Sequence, residues 1–106
     1  MDQHEFMQLA DQCLARAAAW LEQLDPDEVD YLTGDGVLTM EFGDGSRFVL
    51  SRQSATSQIW LAASAAGLHY TYDAASRQWL DDKHGDQLFS RLNKLVADKL
   101  GHPVAQ

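Results

Sequence analysis

Between Val29 and Asp81 the chain lays down six short segments of strand character, and no connection between neighbours is long enough for a crossover. Parallel neighbours need a dozen or more residues, usually a helix, to return to the same edge. Here Gly34-Asp35-Gly36, Gly43-Asp44-Gly45 and Ser64-Ala65-Ala66-Gly67 make the turns. Glycine beside aspartate at such points is the chemistry of tight hairpins. The sheet is therefore predicted to be an antiparallel meander.

Alternation sets its faces. Val37 to Phe42 places Leu38, Met40 and Phe42 on one side and Thr39 and Glu41 on the other. Arg47 to Ser51 turns Phe48 and Leu50 inward and Val49 outward. Gln58 to Ala62 turns Ile59 and Leu61 inward, which leaves Gln58, Trp60 and Ala62 on the opposite face. Leu68, Tyr70 and Tyr72 alternate with His69 and Thr71, and short strands over Val29–Thr33 and Gln78–Asp81 complete the set. The period of two residues means that each strand buries one side only.

Two amphipathic helices flank this block. Asp2-Gln3-His4-Glu5 reads as a capping box, and Phe6, Leu9, Ala10, Cys13, Ala17, Trp20, Leu21 and Leu24 follow at helical spacing. The first helix is expected to run to about Leu24, since Pro26 disfavours helix before it. Asp86 is the expected N-cap of the second helix, whose stripe is Leu88, Phe89, Leu92, Leu95, Val96 and Leu100. Gly101 suits its C-terminal cap and Pro103 prevents continuation. The predicted fold is α+β, a single domain over residues 1–106: a two-layer sandwich of helix, antiparallel sheet of about six strands, and helix. Both helices lie on one face of the sheet, which leaves Trp60 and Val49 on an open face with nothing to cover them.

Composition narrows the function. Residues 1–30 hold eight acids against Arg16 alone, a net of −7, out of −8 for the whole chain. Such a field repels nucleic acid and anionic membrane and attracts cations and basic protein surfaces. No apolar run approaches membrane-spanning length. The acidic start lacks a basic n-region, so no signal peptide is expected. Cys13 is the only cysteine, which excludes an internal disulfide and fits a reducing, cytoplasmic setting. It falls on the apolar stripe and reads as a buried small hydrophobe. No Ser/His/Asp order, phosphate loop or paired-carboxylate cleft is legible, so the chain is not expected to be an enzyme.

Several residues match one family in order and spacing. They are Glu5-Phe6 with Leu9-Ala10-Asp11, Gly36-Val37-Leu38-Thr39, and the block from Gln53 through Gln58-Ile59-Trp60-Leu61-Ala62 to Gly67, followed by Trp79. With this layout the whole chain resembles frataxin, specifically the bacterial CyaY family. Two departures stand out. Ser51 replaces a usual Asn, and Ala18, Ala19 and Gln23 stand where the family's first helix commonly carries acids.

The candidate metal site is an acidic ridge of Asp11, Glu22, Asp25, Asp27, Glu28 and Asp30. His4 is a further candidate, because it shares the azimuth of Asp11 and Glu22 opposite the apolar stripe. Hard oxygen ligands without sulfur suit iron, manganese, calcium or magnesium. Nothing closes a cage, so binding should be weak, open and unselective, and the plain alternative is a solvated face. His84, beside Asp81-Asp82-Lys83, is a lesser candidate, and a polar loop is the plainer reading there. The candidate partner-binding residues are Trp60, Gln58 and Val49 on the open face, with Glu22 and Asp25 on the ridge.

The resemblance implies an iron-binding accessory of iron–sulfur cluster assembly that contacts the cysteine desulfurase and its scaffold protein. By that resemblance Fe2+ or Fe3+ is the expected metal, with other divalent cations able to substitute; a monomer is expected, with a metal-driven oligomer as the alternative. Two other functions stay open: an acidic interaction module with incidental metal binding, and a weak ferroxidase.

Overall fold

The computed structural model describes residues 1–106. The elements are α1 (Gln3–Leu21), β1 (Val29–Gly34), β2 (Val37–Phe42), β3 (Arg47–Gln53), β4 (Gln58–Ala63), β5 (Ala66–Asp73), β6 (Gln78–Asp81) and α2 (Leu88–Leu100). The strands form one sheet in sequence order, and every neighbouring pair is antiparallel. Asp35-Gly36 and Ser64-Ala65 are two-residue hairpin turns.

The faces follow the alternation. Leu38, Met40, Phe42, Phe48, Leu50, Ile59, Leu61, Ala63, Tyr70 and Trp79 join the buried residues of both helices in one core cluster. No outward strand position belongs to that cluster, so both helices cover the same face and the other stays open. Each fully buried Leu or Ile contributes about 1.5–3 kcal/mol, and truncating one, such as Leu61, would cost about 2–5 kcal/mol. Leu14, which the sequence stripe omitted, is buried as well. Burial in this apolar setting pushes the Cys13 thiol up to about 12, against a smaller lowering by Arg16. That group is a core filler.

Both helix boundaries differ from expectation. Asp2 caps α1 through Oδ1 to the Glu5 N–H at 2.8 Å. The helix stops at Leu21, three residues short of Leu24, because Gln23 and Leu24 bond back to Trp20 and Leu21. These bonds tighten the final turn before Pro26. At α2 the N-cap is Gln87, whose Oε1 accepts from the Ser90 N–H at 2.9 Å. Asp86 cannot serve there. Its carbonyl accepts from the Asp81 N–H, Gln87 bridges to Leu80, and its carboxylate pairs with Arg91. At its other end α2 closes on Gly101 with φ +80°, as expected.

Candidate functional site

The open sheet face is built in rows across the strands. One row runs Leu32, Thr39, Val49, Ala62, Gly67, and the next runs Val37, Ser51, Trp60, His69. Leu32 is 63% exposed and Val37 38%, the most exposed large apolar side chains apart from Met1. With half-buried Val49 and Trp60 they stand on a face that no helix covers, with Thr39 and Ser51 between them in the two rows.

Trp60 is not uncovered, as the sequence led us to expect. It is half-buried, because the His69 imidazole opposite it on β5 stacks on the indole at 4.4 Å between centroids and 12° between planes. Its Nε1–H donates to Gln58 Oε1 at 2.9 Å. Gln58 in turn donates through Nε2 to Asp82 Oδ2 at 2.5 Å and to Thr71 Oγ1 at 3.3 Å. His69 and Asp82 are the residues here that sequence reasoning missed. Register would have exposed His69: once Ser64-Ala65 is taken as the two-residue turn, residue 69 must face residue 60.

Asp11 stands midway along α1, Glu22 is its C-cap, Asp25, Asp27 and Glu28 lie in the turn that follows, and Asp30 is on edge strand β1. All but half-buried Glu28 are exposed. Several are already engaged. Asp11 pairs with Arg52 at 2.5 Å. Glu22 accepts from the Tyr31 hydroxyl at 2.6 Å, a bond that raises the phenol above its ordinary value. Glu28 meets His102 Nε2 at 2.7 Å. Asp25 Oδ1 accepts from the Asp27 N–H, and Asp30 Oδ1 from the Tyr31 N–H. No three Asp, Glu, His or Cys side chains converge closely enough to hold a metal ion in a cage. What remains is a carboxylate-rich surface open to water. Oxygen donors there fit a hard cation, held loosely and with its own waters.

His84 is paired through Nδ1 with buried Asp81 Oδ2 at 2.9 Å. Burial alone would raise the Asp81 carboxyl, but the Lys83 N–H and His84 outweigh it and hold the group below its ordinary value. The pair anchors the 82–86 loop rather than forming an open ligand set.

The sheet with its two helices on one face defines the class of protein, an open-faced α/β sandwich, and comparison with known proteins gives the family. The Frataxin-like domain profile matches residues 1–102. The iron–sulfur cluster assembly protein CyaY of Dechloromonas aromatica is 39% identical over 104 residues, 98% of this chain and 97% of that protein. The structure of frataxin from Psychromonas ingrahamii superposes with a TM-score of 0.88 at 32% identity, covering 98% of this chain and 96% of that one. Trimeric frataxin from Saccharomyces cerevisiae, complexed with ferrous iron, superposes with a TM-score of 0.75 at 26% identity, covering 88% and 86%. The chain belongs to the frataxin family, in its bacterial CyaY branch.

Proposed function

We propose that this protein is an iron-responsive accessory of iron–sulfur cluster assembly, docking on the scaffold protein through the open sheet face and on the cysteine desulfurase through the acidic ridge. The observation that carries the reading is Trp60, half-buried and fixed by the His69 stack and the Gln58 hydrogen bond on a sheet face that no helix covers. A large aromatic with few rotamers to freeze is the usual profile of an interface anchor. Support also comes from relatives named as cluster assembly proteins and from a yeast relative solved with ferrous iron.

Iron is cargo in this scheme. Glu22, Asp25, Asp27 and Asp30 present carboxylate oxygens that would hold it weakly, and the same charges steer a basic protein surface. Pull-down of purified scaffold and desulfurase by the full chain, with and without Fe2+, tests the reading. Capture of both is expected, lost for the scaffold with Trp60→Ala and for the desulfurase with Glu22→Lys/Asp25→Lys. Capture untouched by either change would overturn it.

A second reading has an observation in its favour. Asp11, Glu22 and Glu28 already have partners within the chain, which suits an acidic docking module with incidental metal binding. Fe2+ titration followed by NMR separates the two. Saturable broadening confined to Glu22, Asp25, Asp27 and their neighbours supports iron binding, and weak uniform effects support the module.

A further inference from the structure

Asp82 lies just past β6, and both supports of Trp60 lead to it. Its backbone N–H donates to the His69 carbonyl at 3.0 Å, which fixes it beside β5 at the residue stacked on Trp60. Its carboxylate accepts from Thr71 Oγ1 at 2.7 Å through one oxygen and from Gln58 Nε2 at 2.5 Å through the other. Gln58 Nε2 also donates to Thr71 Oγ1, and Gln58 Oε1 accepts from the indole.

Every donor hydrogen of this network has its own acceptor atom. The donors are the two amide hydrogens of Gln58, the Thr71 hydroxyl and the Trp60 indole N–H. The acceptors are two carboxylate oxygens, the Thr71 oxygen and the Gln58 carbonyl oxygen. A carboxylate can only accept. It therefore dictates which way the Gln58 amide faces, and only that orientation turns Oε1 toward the indole. The indole N–H, a donor only, favours the same orientation, so without the carboxylate the amide keeps only the indole and Thr71 to fix it and loses the charge-assisted bond that holds it toward Trp60.

We infer that Asp82 is a positioning residue for the binding face: acting through Gln58 and the His69 strand, it holds Trp60 in the orientation that a partner meets. Gln58 then serves as a link inside the protein, since its amide is spent on Asp82, Thr71 and Trp60. This rests on the reading that the Trp60 face docks a partner, but the positioning itself is measurable on the protein alone.

The test is a set of 1H–15N spectra of the full chain, with the Trp60 indole signal identified by its loss in Trp60→Phe. Asp82→Ala should move that signal upfield and speed its exchange with water, leaving the Trp20 and Trp79 indole signals in place. Gln58→Ala should do the same, so the outcome does not hang on one variant folding. The double variant should match Gln58→Ala alone. Affinity for the scaffold protein should fall about fivefold in each single variant, the worth of one lost hydrogen bond, with no further loss in the double. An unmoved indole signal in Asp82→Ala would overturn the inference. So would additive losses of affinity, which would mean that Asp82 touches the partner directly. If the spectra change as stated and Trp60→Ala leaves scaffold affinity intact, the docking reading fails and the positioning role stands.

Discussion

Arg52 reaches from β3 across the helical side of the sheet to Asp11 of α1, with Nη1 2.5 Å from the carboxylate. Its Nη2 holds Asp35 of the β1–β2 turn at 3.1 Å, and its side chain is only 13% exposed. One guanidinium therefore ties the first helix to the edge hairpin, and the two carboxylates, Asp11 first, raise its pKa above the ordinary value. Asp11 is spoken for before any cation arrives.

Replacing Arg52 with Met keeps the buried stem and removes the clasp. We expect a loss of about 1–2 kcal/mol in unfolding free energy, between the values for surface and buried pairs. The same change frees Asp11 and Asp35, so added Fe2+ or Mn2+ should raise the melting temperature of this variant more than that of the parent. An equal rise in both proteins would place the cations away from Asp11.

Gly36 sits with φ +70°, and a Cβ there would lie 2.9 Å from Arg52 Cζ. Gly45 has φ +86° with open space around it. Gly45→Ala should therefore cost only the strain of the left-handed conformation, about 1–2 kcal/mol. Gly36→Ala should cost more, since it also pushes the guanidinium off its partners. Chemical denaturation of both variants checks the order, and equal losses would contradict the clasp.

The Tyr70 side chain is fully buried and its hydroxyl has no hydrogen-bond partner. Burial, followed by the nearby Asp81 charge, pushes the phenol up to about 12. An orphaned polar group in a core costs about 1–3 kcal/mol, so Tyr70→Phe should be neutral or stabilising. A loss above about 1 kcal/mol would mean that the hydroxyl has a partner in solution, such as a buried water.

The hydrogen bond to Glu28, with the Pro103 carbonyl second, raises the His102 imidazole above its ordinary value. A raised histidine contributes stability that is complete below its unfolded value, about 6.5, and is lost as pH climbs through the folded value. The parent should therefore lose more melting temperature than His102→Gln as pH is raised from about 6.5. The difference should shrink in high salt because the pair is exposed. Parallel curves would show that the pair contributes nothing.

What the sequence made legible was local. The faces of Leu38, Phe48, Ile59 and Leu61 follow from alternation, and the meander follows from turns too short for a crossover. Asp2 and Gly101 cap where capping chemistry places them. The misses depend on contacts between distant parts of the chain. Asp86 looks like an N-cap until its carbonyl is seen to pair with Asp81, a bond made by the sheet and not by helix propensity. The ridge acids read as free ligands until Arg52, Tyr31 and His102 come to meet three of them. Trp60 reads as bare until the register brings His69 over it.

The most direct test of the account pairs two measurements on Trp60→Ala: a binding isotherm with the scaffold protein and a denaturation curve. A half-buried aromatic stacked on one neighbour should cost about 1–2 kcal/mol in folding when truncated. As the anchor of the open face it should cost more than about 2 kcal/mol in binding, roughly thirtyfold or greater in affinity. Affinity unchanged within about twofold, together with about 3–5 kcal/mol lost from folding, would contradict the account and make Trp60 a structural residue.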